Sequence, residues 1–199
     1  MWFLQPGITF QDLILRIFAI LLITFVILPF HEFSHAFFAY KLGDDTAKRE
    51  GRLTLNPLMH FSTFGAVSML LFDFGWAKPV PINPLNFKNP RRDMAIVALA
   101  GPISNLIAAI LGGLLLNLVP LVQSSSIAIM ISVFLYHYIS INTNLAVFNL
   151  LPVPSLDGFK IISAFIPKKY VTNMYKNMNF ITWGLLILLL FGFFDFPLF

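Results

Sequence analysis

Four long apolar runs dominate the chain, from Phe10 to Leu42, Met94 to Val119, Ile127 to Leu151 and Phe180 to Phe196. A helix needs about 20 apolar residues to cross the hydrocarbon core of a bilayer, so each run predicts a transmembrane helix. The first is broken only by Asp12, Arg16 and a polar cluster at His31, Glu32, Ser34 and His35. A connector, residues 43–93, separates the first two runs. Its own apolar stretch, Phe61 to Trp76, is short and interrupted by glycine, which argues against a fifth span. The flanks of that stretch, Arg52-Leu53-Thr54-Leu55 and Lys78-Pro79-Val80-Pro81-Ile82, read as strand. Non-helical backbone at membrane depth survives only when buried in protein or lining a wet cavity. The pattern therefore predicts an all-α polytopic membrane protein with about four main transmembrane helices. A small re-entrant or β-hairpin element lies between the first and second, and residues 1–199 form one membrane-embedded domain.

Composition agrees. Hydrophobic residues make up 58% of the chain and charged residues 11%, against about a quarter charged in soluble domains; mean hydropathy is +0.81. Lipid is the natural solvent. There are no cysteines, so disulfides and cysteine-ligated zinc are excluded, and any metal must be held by His, Asp or Glu. The positive charge is segregated. With four spans, every Lys and Arg except Arg16 falls on the side shared by the connector and residues 152–179, from Lys41, Lys48 and Arg49 through to Lys168, Lys169 and Lys176. By the positive-inside rule that side is cytoplasmic and both termini face the other way, in a multi-pass protein of the cell (inner) membrane. These charges are scattered near span ends, unlike a nucleic-acid-binding stripe, so no nucleic-acid partner is expected. The N-terminal run lacks a basic leader and is too long for a cleavable signal. Small residues four apart, Ala108 with Gly112 and Ala109 with Gly113, predict a close helix contact in the second span.

The sharpest chemical signal is His31-Glu32-Phe33-Ser34-His35. Residues four apart share a helix face, so both imidazoles can reach one ion, and Glu32 stands where it can take a proton from the attacking water. The bland alternative is a pair of interfacial histidines with a snorkelling glutamate. The motif lies inside an apolar helix, where ionisable groups are expensive and usually functional, and this favours the metal. If Lys41 marks the cytoplasmic end, His35 and His31 lie six and ten residues inside, about 9 to 15 Å below the surface. Water must then reach them from the cytoplasm. Pro29, two residues upstream, is placed to kink the helix.

A third ligand must come from elsewhere. The third run ends in Asn149-Leu150-Leu151-Pro152-Val153-Pro154-Ser155-Leu156-Asp157-Gly158. The prolines stop the helix and Gly158 permits a sharp turn, which leaves Asp157 on irregular backbone at a matching depth. Spacing alone leaves two readings open, a metal ligand or a surface aspartate in a Pro-Gly turn.

Together these motifs resemble those of the site-2 protease family of intramembrane zinc metalloproteases, over most of the chain and in the form of its compact prokaryotic members without a PDZ or other regulatory domain. The His-Glu-x-x-His motif falls at His31, Glu32 and His35, and the Asn-x-x-Pro-x-x-x-x-Asp-Gly pattern at Asn149, Pro152, Asp157 and Gly158. Leu55-Asn56-Pro57-Leu58, Gly75-Trp76-Ala77-Lys78-Pro79-Val80-Pro81 and Gly101-Pro102-Ile103-Ser104-Asn105 are also similar. The resemblance implies one Zn2+ per chain, with Asp157 as third ligand, and Asn149 near the reacting carbonyl, where an amide donor can stabilise an oxyanion. The chain departs from a frequent family pattern at His60-Phe61-Ser62, where an acidic residue often follows the histidine. His60 is accordingly expected to be a connector histidine, and His137, mid-span, to be hydrogen-bonded inside the bundle.

The expected reaction is hydrolysis of a peptide bond in or beside the transmembrane helix of a single-span membrane-protein substrate. Glu32 would serve as base and Lys78 to Ile82 as an edge that binds the unwound substrate by strand addition. Two other classes compete. A proteolytically silent scaffold binding client helices would have no need of Glu32, and a metal channel would want several weak sites along a path, whereas one cluster is found.

Overall fold

The computed structural model describes residues 10–72 and 75–190. Helix α1 (Phe10–Leu22) passes through a π-helical turn, Ile23–Ile27, into α2 (Leu28–Lys41). Pro29 cannot donate a backbone hydrogen bond. The helix meets this point without breaking, because the preceding turn widens until the Leu28 N–H reaches the Ile23 carbonyl. Such π-turns absorb an irregularity inside a continuous helix.

Four helices follow in the connector and second span: α3 (Thr46–Arg49), α4 (Pro57–His60), α5 (Thr63–Phe72) and α6 (Pro90–Leu116). The remainder are α7 (Ser125–Asn149), α8 (Asp157–Ser163), α9 (Lys168–Lys176) and α10 (Met178–Leu190). Among the described residues three helical stretches are long and apolar enough to cross a bilayer: Ile17–Lys41, Pro90–Leu121 and Ser125–Asn149. The fourth predicted run begins as α10, and its residues 191–196 lie outside the described residues. Large apolar side chains point outward along the spans, such as Ile110, 64% exposed, and Met130, 71% exposed. This is the surface of a polytopic membrane protein.

The strand-like flanks are not realised, and no strand occurs among the described residues. The apolar stretch of the connector is instead helix α5, whose Met69 packs into the core formed by Leu22, Ile23, Ile27, Leu28 and Ile141. The irregular segment 78–82 does not pair as a strand within the chain, since Pro79 and Pro81 lack an N–H and neighbouring groups are already engaged. The Lys78 N–H donates to the His60 carbonyl at 2.8 Å, and buried Arg52 donates to the carbonyls of Lys78 and Pro79 at 2.6 and 3.3 Å.

Asp44, just beyond α2, ties the connector down. Its carboxylate accepts from the Thr46 N–H at 3.1 Å, the Thr46 hydroxyl at 2.5 Å, the Asn83 N–H at 2.7 Å and Asn86 Nδ2 at 2.7 Å. Burial alone would push this carboxyl up, but the donated bonds outweigh it and hold it below the usual carboxylate range. A depressed folded value means that the stabilisation is complete above the ordinary carboxylate range and is lost as pH falls through the folded value. Protease cleavage within residues 43–60 should rise in that acid window, and Asp44→Asn should flatten the pH dependence.

Helix α6 is central, packed against α7, α2 and α8. Of the glycines in the two small-residue pairs, only Gly112 faces α7. A Cβ on Gly112 would lie 2.9 Å from Ile139 Cγ1 and 3.1 Å from Tyr138 Cδ1, whereas one on Gly113 would meet nothing within 4 Å. Gly112→Leu should therefore destabilise the protein by about 1–3 kcal/mol through overpacking, seen as a lower thermal midpoint in detergent, with Gly113→Leu close to wild type.

Candidate metal centre

His31 and His35 lie one turn apart on the buried face of α2, 4% and 5% exposed. Asp157 reaches them from the segment that follows α7. Helix α7 stops at Asn149, and the irregular segment through Pro152 and Pro154 folds back so that Asp157 opens α8. Gly158 makes the reversal possible, because a Cβ there would collide with the carbonyls of Leu150 and Leu151.

The three donors form a nearly equilateral triangle. His31 Nε2 and His35 Nε2 are 3.0 Å apart, and Asp157 Oδ2 lies 3.2 Å from the first and 3.1 Å from the second. Hydrogen bonding on the far side of each ring fixes what these atoms present. His35 Nδ1 lies 2.7 Å from the Val97 carbonyl, which can only accept, so in the neutral ring the proton is on Nδ1 and the lone pair on Nε2. His31 Nδ1 lies 3.2 Å from Asn105 Oδ1, which makes the same demand. Three electron-rich atoms therefore face one another at about van der Waals distance or closer. A single proton bridges two of them, whereas a metal ion satisfies all three.

The dimensions fit an ion. For metal–ligand bonds of about 2.0–2.1 Å, tetrahedral angles set ligand separations of roughly 3.3–3.4 Å, close to the observed edges. Room is left by Gly101 of α6, where a Cβ would lie 2.6 Å from His31 Nε2 and nearer still to His35 Nε2. His31, His35 and Asp157 form the one such metal-competent group among the described residues.

Glu32 is half-buried, and its Oε2 accepts the Val80 N–H at 2.9 Å. Segment 78–82 thus meets the site through Val80, even though it is not a strand. Asn149 donates from Nδ2 to the Leu145 carbonyl one turn back at 3.0 Å, capping the helix end and leaving its second N–H. His60 is buried with Nε2 2.8 Å from the Thr54 carbonyl, outside the cluster. The half-buried ring of His137 lies edge-on to Tyr136, also outside it.

Residues 115–191 match the description "Peptidase family M50"; this stretch holds the Asn149 to Gly158 segment but not His31 to His35. The chain is 45% identical over 151 residues to YwhC of Bacillus subtilis (strain 168), whose name makes it a candidate zinc metalloprotease. That alignment covers 74% of this chain and 69% of YwhC. The chain belongs to peptidase family M50. A second relative, Rip2 of Mycolicibacterium smegmatis, likewise named as a candidate zinc metalloprotease, is 34% identical over 134 residues, 65% of this chain and half of Rip2. No solved structure matches.

Three features of this M50 site escape a reading of its two motifs. Lys160 donates to Asp157 Oδ1 at 3.0 Å, which turns Oδ2 toward the histidines. Gly101 supplies the space and Asn105 the hydrogen bond to His31. The available signal was a glycine and an amide one turn apart within an apolar span, since polar groups at that depth are seldom idle.

Gly101→Ala should place a methyl group among the three donors. Zinc affinity, measured by chelator competition, should drop roughly tenfold or more, on the scale at which disturbed surroundings weaken metal sites. Helical content by circular dichroism should stay near wild type.

Proposed function

We propose that the protein is an intramembrane zinc metalloprotease that cuts a single-span membrane protein in or near its transmembrane helix, as a step of regulated intramembrane proteolysis. The observation that carries this reading is the buried triangle of His31, His35 and Asp157, with Glu32 beside its first member. Two imidazoles and a carboxylate, with the fourth position taken by water, make a catalytic zinc donor set. Bound there, zinc would lower the pKa of an attacking water and polarise the scissile carbonyl.

The remaining roles belong to the chain's own side chains. Glu32 takes the proton of the attacking water and hands it to the departing amine. The Val80 N–H on Oε2 holds that carboxylate in place and leaves Oε1 for the water. Asn149, with one amide N–H spent on Leu145, directs the other to the developing oxyanion. Residues 78–82 guide the locally unwound substrate past Glu32. Support for this is the position of the segment, held by Arg52 and in contact with Glu32 through Val80, although the bond from Val80 to Glu32 means that an incoming strand competes for that N–H.

Orientation follows from charge. The basic residues of the connector and of residues 152–179 mark the cytoplasmic side, so both termini lie on the other side and the site opens to the cytoplasm.

The test is cleavage of a panel of single-span substrates by the full chain in proteoliposomes, with zinc content measured in parallel. Glu32→Gln should retain zinc yet lose at least about 100-fold in rate, the usual contribution of a general base, and chelation should abolish cleavage reversibly. A zinc-loaded Glu32→Gln protein that cuts as fast as wild type would sink the role of Glu32 as the base. A zinc-loaded wild type that binds the substrates but cuts none of them would sink the proposal and favour a scaffold that merely binds client helices.

A further inference from the structure

The metal cluster requires His31 to present a lone pair at Nε2, and this depends on what happens at the opposite nitrogen. For His35 the matter is settled by the Val97 backbone carbonyl, beyond the reach of any side-chain change. His31 has instead the side chain of Asn105, fully buried in the middle of apolar helix α6. The amide nitrogen of Asn105 has no hydrogen-bond partner among the described residues. A buried donor left unpaired is costly, so packing gives no reason for an asparagine there. An apolar side chain of similar size would avoid the cost. What the amide gains is its contact with His31.

We propose that Asn105 is a positioning residue that selects the tautomer of His31, an inference that rests on the metal-site reading above. With Oδ1 toward the ring, Asn105 accepts from Nδ1–H and the Nε2 lone pair faces His35 and Asp157. Reversed, the amide would donate to Nδ1 and drive the proton onto Nε2, into the space between the three donors. One turn of α6 therefore serves the site twice, Gly101 leaving room at Nε2 while Asn105 holds Nδ1. Outer hydrogen bonds of this kind fix ligand orientation and tautomer in metal proteins generally.

The test compares the wild-type chain with Asn105→Leu, which removes the acceptor at similar volume, and Asn105→Asp, which keeps it. Zinc affinity is read by chelator competition in detergent, and the His31 tautomer by 15N NMR of histidine-labelled protein without metal. Asn105→Leu should bind zinc about 10–100-fold more weakly, and Asn105→Asp should stay within a few-fold of wild type. Wild-type His31 should carry its proton on Nδ1. Equal affinity of the leucine variant and wild type, or an aspartate variant no better than leucine, would overturn the inference. So would a wild-type His31 protonated on Nε2, a readout that holds even if a variant fails to fold. Wild-type protein that binds no zinc would instead remove the metal-site reading itself.

Discussion

Three lone pairs held about 3 Å apart in the buried interior are the constraint on which this molecule turns. Left alone they repel, and no protein would gather them in a buried, apolar bundle without something positive to place between them. Each is aimed by a bond on its outer side. The Val97 carbonyl holds His35, Asn105 holds His31, and Lys160 draws off the second oxygen of Asp157. Two of these three supports come from α6, which contributes no ligand. The central helix is thus the wall against which the site is built, and its small residues at Ala98, Gly101 and Ala108 let the neighbouring helices approach closely.

The connector is coupled to the same site by a short chain of contacts. Arg52 grips the carbonyls of Lys78 and Pro79, and the next residue, Val80, donates to Glu32. Asp44 gathers Thr46, Asn83 and Asn86 at the end of α2, the helix that carries both histidines. A displacement of segment 78–82, by a substrate or otherwise, must therefore be felt at the Glu32 carboxylate. Strand pairing as first expected would leave this backbone free at its edge. The observed arrangement spends those groups on holding the acidic residue of the motif.

Much was legible in the linear chain. The apolar runs foretold the three described spans and the start of the fourth, because in lipid a backbone must satisfy itself as helix and twenty apolar residues leave few other choices. Four-residue spacing placed His31 and His35 on one face, because that spacing is a property of any α-helix. The Pro-rich turn before Asp157 was visible as a break. The strand reading of residues 52–55 and 78–82 failed because local propensity does not reveal which partner takes each backbone group. Here the His60 carbonyl and Glu32 took the N–H groups of Lys78 and Val80, while Arg52 took the carbonyls of Lys78 and Pro79.

What the sequence by itself determined is therefore everything set by period and solvent: the membrane spans, the paired histidines and the stop after Asn149. Tertiary structure alone decided that Asp157 closes the triangle, since residues more than 120 positions apart meet only when α7 turns back on Gly158. It alone decided that Gly112 rather than Gly113 faces α7, and that Gly101 and Asn105 stand behind the imidazoles. Spacing along a helix says which side chains share a face, whereas what that face meets depends on how whole helices pack.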